Sequence, residues 1–342
     1  MISEQRIQRD TKFAGDGGIV KKPRRLRTTS EIRNLVAETT VNVSDLVMPI
    51  FVKEGSNIKE KIDEMPGIFR YSPDHELDRE IEEIFNLGIS AVLLFGLPAK
   101  KDLLGSEAYN SNGVVQQAIR RIKNTKPEMV VISDVCMCGY TEHGHCGILD
   151  QGGTVDNEKT NSYLGKIALS HANSGADIVA PSAMMDDQVL AIRTALDSGG
   201  FGRTAIMSYA AKFASGFYGP FRVAAGSAPS FGDRKSYQMD PRNAREAIRE
   251  TEIDVEQGAD IIMVKPVLAY LDVLRTVRQR FDLPLAAYNV SGEYSMIKAA
   301  AINGWIDETR VVDEVLHAIK RAGADIIITY FSKEYSRRLQ SG

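Results

Sequence analysis

Cysteine is scarce in this 342-residue chain: there are three, an odd number, all within the eleven-residue window Cys136-Met-Cys138-Gly-Tyr-Thr-Glu-His143-Gly-His145-Cys146. So few cysteines exclude a disulfide-built scaffold. With no apolar signal segment at the N-terminus, they lead us to expect a reducing, cytoplasmic setting. Long hydrophobic runs are missing too. No segment reaches the roughly 18 to 20 consecutive apolar residues that a membrane span needs, so no membrane association is expected. Neither sign of charge dominates, the formal net charge being -3, which gives no support to general nucleic-acid binding. The basic run Lys21-Lys22-Pro23-Arg24-Arg25-Leu26-Arg27 is short and isolated, and reads as part of a solvated or intersubunit arm. What is present, 43% hydrophobic and 25% charged residues, is the composition of an ordinary globular protein with a large core.

Apolar runs recur eight times after about residue 44: Asp45 to Val52, Ala91 to Phe95, Met129 to Val135, Asp177 to Ser182, Ala205 to Tyr209, Asp260 to Lys265, Leu285 to Val290 and Asp325 to Tyr330. Segments with helical spacing of apolar residues separate them, among them Leu77 to Leu87, Val114 to Ile122, Leu271 to Phe281 and Val311 to Ala322. Short continuous strands alternating with amphipathic helices call for a parallel sheet buried on both faces. Eight such units predict a closed (β/α)8 TIM barrel over 41–342 rather than an open doubly wound sheet. The turn Gly-Ala-Asp-Ile recurs at Gly175, Gly258 and Gly323, each time with an Asp at the entry to the next strand. Residues 1–40 stand outside this rhythm. They are polar, contain Gly15-Asp-Gly-Gly18 and have no core of their own, so we expect an extended arm that makes oligomer contacts.

In a barrel the catalytic groups belong at the C-terminal ends of the strands. The cysteine window follows the third apolar run, and three soft ligands without a fourth cysteine match a catalytic zinc site with one open position. His143 and His145 could supply a fourth ligand, which would close the site, and buried core cysteines are the plain alternative. Lys265 ends the sixth run, and Lys212 follows the fifth with no acidic residue nearby in sequence. Each lysine alone reads as structural. Together, on adjacent strands about 4.8 Å apart, their ammonium groups would repel. An ordinary lysine is neutral in only about one molecule in 2,500 at pH 7, and a like charge plus desolvation can change that. A neutral lysine attacks a ketone to form a Schiff base. Beyond Lys212, the residues Arg222, Arg234, Lys235 and Gln238 lie in a glycine- and proline-punctuated loop, and suit a carboxylate-bearing substrate.

From Pro23 to about Tyr330 the chain resembles the 5-aminolevulinate dehydratase family, also called porphobilinogen synthases. The most specific stretches are Asp134-Val-Cys136-Met-Cys138-Gly-Tyr-Thr-Glu-His-Gly-His-Cys146-Gly, Lys212-Phe-Ala-Ser-Gly-Phe-Tyr-Gly-Pro-Phe-Arg222, Gly232-Asp-Arg-Lys-Ser-Tyr-Gln238, Met263-Val-Lys265-Pro266 and Val290-Ser291-Gly292-Glu293-Tyr294. The resemblance implies a cytoplasmic homo-octamer of barrels that joins two molecules of 5-aminolevulinate into porphobilinogen, with loss of two waters, in tetrapyrrole biosynthesis. By the same resemblance Lys265 holds the first substrate as a Schiff base, with Ser291 and Tyr330 on its carboxylate. Lys212 holds the second, whose carboxylate meets Arg222, Arg234 and Gln238. Zinc on Cys136, Cys138 and Cys146 serves the second substrate, Asp134 and Ser182 support the mouth, and Glu250 is the position of an allosteric magnesium.

The stretch Pro181 to Asp187 departs from the family pattern, with Asp186-Asp187 where many relatives carry Asp then Gly, and Ala210-Ala211 replaces a common hydroxyl residue. Two other classes stay open on the residues alone. An aldolase-type barrel leaves the cysteines and the second lysine unexplained. A zinc-stabilised scaffold leaves both lysines unexplained.

Overall fold

The computed structural model of the chain describes residues 22–341; Gly15 to Gly18 and Lys21, read above as arm, lie outside the described residues. Among the described residues ten strands form one sheet: β1 (Leu46–Lys53), β2 (Lys59–Lys61), β3 (Phe69–Tyr71), β4 (Ala91–Leu97), β5 (Val130–Val135), β6 (Ile178–Pro181), β7 (Ala205–Lys212), β8 (Ile261–Lys265), β9 (Leu285–Asn289) and β10 (Ile326–Thr329). All but β2 and β3 follow one another in chain order as parallel barrel strands, β3 pairs parallel on the edge of β1 with β2 antiparallel to it, and β10 closes on β1 through Leu46 opposite Ile327 and Val47 opposite Ile328. This is the (β/α)8 barrel that the alternation predicts, each of the eight runs supplying one barrel strand.

The barrel strands are mostly apolar because both of their faces are covered. All five residues of β9 are buried, as are all seven from Leu46 to Val52 in β1. Three of the helices between them start where an aspartate caps a free amide group. The Asp74, Asp156 and Asp307 carboxylates accept from the Glu76, Lys159 and Arg310 amides at the starts of helices His75–Asn86, Asn157–Asn173 and Glu308–Ala322.

The recurring Gly-Ala-Asp turn has a mechanical role. Gly175, Gly258 and Gly323 take φ of 104°, 100° and 125°, which a side chain would oppose. Each following Asp then turns back on the neighbouring strand, with Asp177, Asp260 and Asp325 accepting from the amides of Val131, Ile206 and Leu285 at 2.8, 2.8 and 2.9 Å. These bonds pin strand register at the bottom of the barrel. Asp187 also sits at a left-handed φ of 63°, a conformation Asp tolerates better than most residues. Gln257 donates to its carboxylate at 2.6 Å.

Three elements were not anticipated. They are the β2–β3 hairpin, the helix Gly219–Ala224 inside the loop after Lys212, and the helix Ser332–Ser341. One expected boundary also moves. The fifth run was expected to end at Tyr209, but β7 continues to Lys212, because the register against β8 shifts between Ser208 and Ala211 and pairing then resumes. The chain divides into two units, Met1–Thr40 and Val41–Gly342. In the first, the described residues form the short turn Pro23–Arg27 and the helix Ser30–Leu35, and none of them is buried.

Candidate active site

The register shift in β7 places Lys212 directly opposite Lys265 on β8. Both lysines are 5% exposed, so neither escapes to solvent. The Lys212 ammonium donates to the Ser182 carbonyl just beyond β6. The Lys265 ammonium has rings instead: Tyr288 at 4.1 Å, Tyr209 at 4.9 Å, Phe221 at 5.2 Å and Tyr218 at 5.4 Å from ring centre. Tyr209 also lies 5.7 Å from the Lys212 ammonium, so one ring serves both lysines. Burial, and then the Lys212 charge, lower Lys265 to about 7, against the opposing pull of Asp134 and the cysteines.

Asp134 corrects the reading that Lys212 has no acidic neighbour. That reading considered only the sequence, whereas the barrel brings β5 across to both lysines, and the Asp134 charge acts on each. It is itself pushed up to about 6, chiefly by burial, with the adjacent Ser182 hydroxyl opposing.

Cys136, Cys138 and Cys146 are free, buried and mutually close, their sulfurs lying within 4.8 Å of one another and those of Cys136 and Cys138 at 3.5 Å. A tetrahedral zinc with Zn–S bonds of about 2.3 Å sets its sulfurs roughly 3.8 Å apart, so this donor set fits such an ion with small side-chain shifts. Hydrogen bonds from Cys136 and Cys138, aided by the Arg234 and Lys212 charges, hold Cys146 well below the usual thiol range. Among the described residues no histidine or carboxylate joins the group. His145 spends both ring nitrogens elsewhere, on the Tyr237 hydroxyl and the Phe231 carbonyl, each at 3.1 Å, and the His143 Nδ1 accepts from the His145 amide. Neither histidine thus lies within the sulfur group, although the His143 Nε2 is buried without a partner.

Residues 213–239 fold over the mouth, and glycines let them approach. A side chain at Gly292 would strike the Phe217 backbone, and one at Gly144, which also has φ of 70°, would strike Ala228. The segment carries the predicted cations inward. Arg234 is 5% exposed and donates to the Gly144 and Ser227 carbonyls, yet its Nε has no partner. The Arg222 Nε is likewise buried and unpartnered, and Gln238, 3% exposed, has no partner for either amide atom. Lys235 instead is exposed and paired with Asp233. Ser291 and Tyr330 follow β9 and β10. The Ser291 hydroxyl accepts from the Phe221 amide at 2.9 Å and donates weakly to the Phe217 carbonyl at 3.4 Å, while Tyr330 shares a 3.1 Å hydroxyl contact with Tyr288.

Glu250 lies away from the lysines, half-buried on the helix Ala244–Glu256. It borders a cavity of about 390 Å³ with Asp186, Glu246 and Gln238. Burial, then the charges of Asp186 and Glu246, raise its carboxyl.

Tyr209, Tyr218, Phe221 and Tyr288 were missed as site residues. Tyr209 and Tyr288 lie on buried strands and Tyr218 and Phe221 in the covering segment, and in neither place does an aromatic residue carry a local mark that separates it from core. Glu293, fully buried in the motif that contains Ser291, was also missed. It accepts from the Leu268 and Val290 amides and from Asn289 at 2.8 to 3.0 Å, and so ties the segment after Lys265 to the helix Ser291–Ile302.

The family described as delta-aminolevulinic acid dehydratase matches residues 20–338. Among curated relatives, the delta-aminolevulinic acid dehydratase of Archaeoglobus fulgidus is 57% identical over 317 residues, covering 93% of this chain and 97% of its own length. That of Bacillus subtilis is 53% identical over 316 residues, covering 92% and 97%. Among solved structures, delta-aminolevulinic acid dehydratase (porphobilinogen synthase) from Toxoplasma gondii ME49, in complex with the reaction product porphobilinogen, superposes with a TM-score of 0.91. It shares 44% identity, with 94% of this chain and 92% of that chain covered. With matches of this length and depth, the chain belongs to the delta-aminolevulinic acid dehydratase family.

Proposed function

We propose that this protein condenses two molecules of 5-aminolevulinate into porphobilinogen, with loss of two waters, through imines on Lys265 and Lys212. The observation that carries the reading is the pairing of two buried lysines at one register position, with Lys265 held near neutrality. At pH 7 a large fraction of Lys265 is then unprotonated. Its lone pair adds to the ketone carbon of the first substrate, and the carbinolamine loses water to give the imine. Ser291 supports the assignment to that substrate's carboxylate, because its weak 3.4 Å bond to the Phe217 carbonyl is easily exchanged for an anion.

Lys212 takes the second ketone in the same way. The unpartnered atoms of Arg222, Arg234 and Gln238 support a second carboxylate site, since buried donors without partners are costly until a ligand fills them. Tyr330 completes the first substrate's pocket. Asp134, with Ser182 beside it, is placed to accept and return a proton near both lysines. Cys136, Cys138 and Cys146 would hold zinc, which when bound supplies Lewis acidity and a polarised water at the second substrate.

Three further assignments belong to this proposal. Glu250, facing Asp186 and Glu246, is the position for magnesium, whose charge would relieve their repulsion. The N-terminal unit, with none of its described residues buried, would pack on other subunits of a homo-octamer, and its deletion should give smaller assemblies by light scattering. Three free thiols fit a cytoplasmic enzyme, and no helix among the described residues is long and apolar enough to cross a membrane. Incubation with 5-aminolevulinate and a colour test for a free pyrrole tests the activity: a pyrrole is expected, and none from metal-loaded protein would refute it.

A further inference from the structure

The helix Gly219–Ala224 brings Phe221 over Lys265 and carries Arg222 beside it, but six residues are too few to hold themselves helical. Its N-terminal half is fastened by Ser291 through the Phe221 amide. Its C-terminal carbonyls are gripped from a distant part of the chain. Arg70, on β3, donates from Nε to the Ala224 carbonyl and from Nη2 to the Val223 carbonyl, both at 2.8 Å. Its remaining nitrogen, Nη1, pairs with Glu60 on β2, which also pairs with Lys53 at the end of β1. The Arg70 side chain is only 12% exposed. Lys101, in the loop after β4, donates to the Gly226 carbonyl two residues further on.

A planar guanidinium is suited to this task. It satisfies two helix-end carbonyls at once and places positive charge at the negative end of the helix dipole. The grip is connected to the strands themselves, because β3 pairs with β1 at Phe51 opposite Arg70, and Phe51 packs 5.7 Å from the Phe221 ring.

We propose that Arg70 is a positioning residue for substrate binding, tethering the short helix so that Arg222 meets a substrate carboxylate and Phe221 covers Lys265. Lys101 is the second tether and Glu60 aims the guanidinium. The hairpin thus sets the affinity of the mouth without touching substrate. This inference rests on the assignment of Arg222 to a carboxylate.

The test compares Arg70→Gln, Arg70→Lys and Glu60→Gln as full-length, metal-loaded protein. Arg70→Gln is expected to raise the KM for 5-aminolevulinate about tenfold, with kcat changed less than about threefold. It should also speed tryptic cleavage within 213–239, while borohydride still traps substrate on Lys265 at saturation. Arg70→Lys, which keeps the charge but loses the fork, should fall between wild type and Arg70→Gln. If Arg70→Gln does not fold, Glu60→Gln decides, with an expected KM rise of about threefold. An unchanged KM with unchanged cleavage overturns the tether, as does a loss confined to kcat that Arg70→Lys does not relieve. A wild-type enzyme that turns over without any trapped adduct contradicts the imine reading instead, and the KM and cleavage readings still decide the tether.

Discussion

Around Lys265 stand four aromatic rings, Tyr209 and Tyr288 from barrel strands and Tyr218 and Phe221 from the covering segment, with the Tyr209 hydroxyl as their one unpartnered buried polar atom, whereas Arg222, Arg234 and Gln238 together hold four such atoms. The first environment works by desolvation. It makes a charged amine expensive, and so brings Lys265 to about 7 before any substrate arrives. The second works by leaving hydrogen-bonding capacity unspent. Its donors are already dehydrated, so an incoming carboxylate recovers bonds without displacing protein partners. One half prepares a nucleophile and the other prepares an anion site, and they meet at Lys212, next to the cysteine cluster.

The largest test of this contrast removes the prepared nucleophile. Lys265→Ala should lower turnover by about 10⁴-fold or more, measured as pyrrole formed, because no other group offers a near-neutral amine there. Removal of metal comes next. A strong chelator or Cys136→Ala/Cys138→Ala should cut turnover by roughly 10² or more, with about one zinc per chain lost by elemental analysis and activity recovered only in the wild type on adding zinc. Full activity of that variant without metal would remove zinc from the mechanism.

The anion side should respond more mildly and in another parameter. Gln238→Ala, with both amide atoms of the native side chain buried and unpartnered, should raise KM by about tenfold with a smaller change in kcat. An equal fall in kcat with KM unmoved would place Gln238 outside the binding step.

These assignments were unequally legible in the sequence. The eight barrel strands could be read because burial on both faces leaves continuous apolar runs. The lysines and cysteines stood out through their grouping, two lysines on adjacent strands and all three cysteines in one window, whereas each taken alone reads as structural. The β2–β3 hairpin could not, since three-residue strands such as Lys-Glu-Lys carry no periodicity. Nor could the helix Gly219–Ala224, whose Gly-Pro start reads as a turn and whose stability comes from Arg70, some 150 residues earlier. The extension of β7 to Lys212 depends on a register shift that only pairing with β8 reveals.

Smaller effects sharpen the comparison through pH. The neutral fraction of Lys265 falls as pH drops through about 7, so the rate of adduct formation should fall on the acid side. Lys212→Ala, besides stopping turnover, removes a charge that lowers Lys265. The acid limb of adduct formation should therefore move to higher pH, though burial, the larger cause, stays. The smallest effect concerns the scaffold. His171, buried against Ser133 at 3.0 Å, is lowered by burial to about 3 from its usual 6.5. The unfolded chain then binds a proton that the folded one refuses, so stability falls as pH drops below 6.5. His171→Gln should flatten the fall of Tm between pH 6.5 and about 4.5.

The central claim is that Lys265 and Lys212 carry substrate as imines, Lys265 first. Borohydride reduction of the metal-loaded enzyme during turnover of 5-aminolevulinate, followed by peptide mass spectrometry, tests it most directly. We expect a reduced substrate adduct chiefly on Lys265, still present but slower to form in Lys212→Ala and absent from that position in Lys265→Ala. Protein that makes the pyrrole while neither lysine carries an adduct would contradict the account.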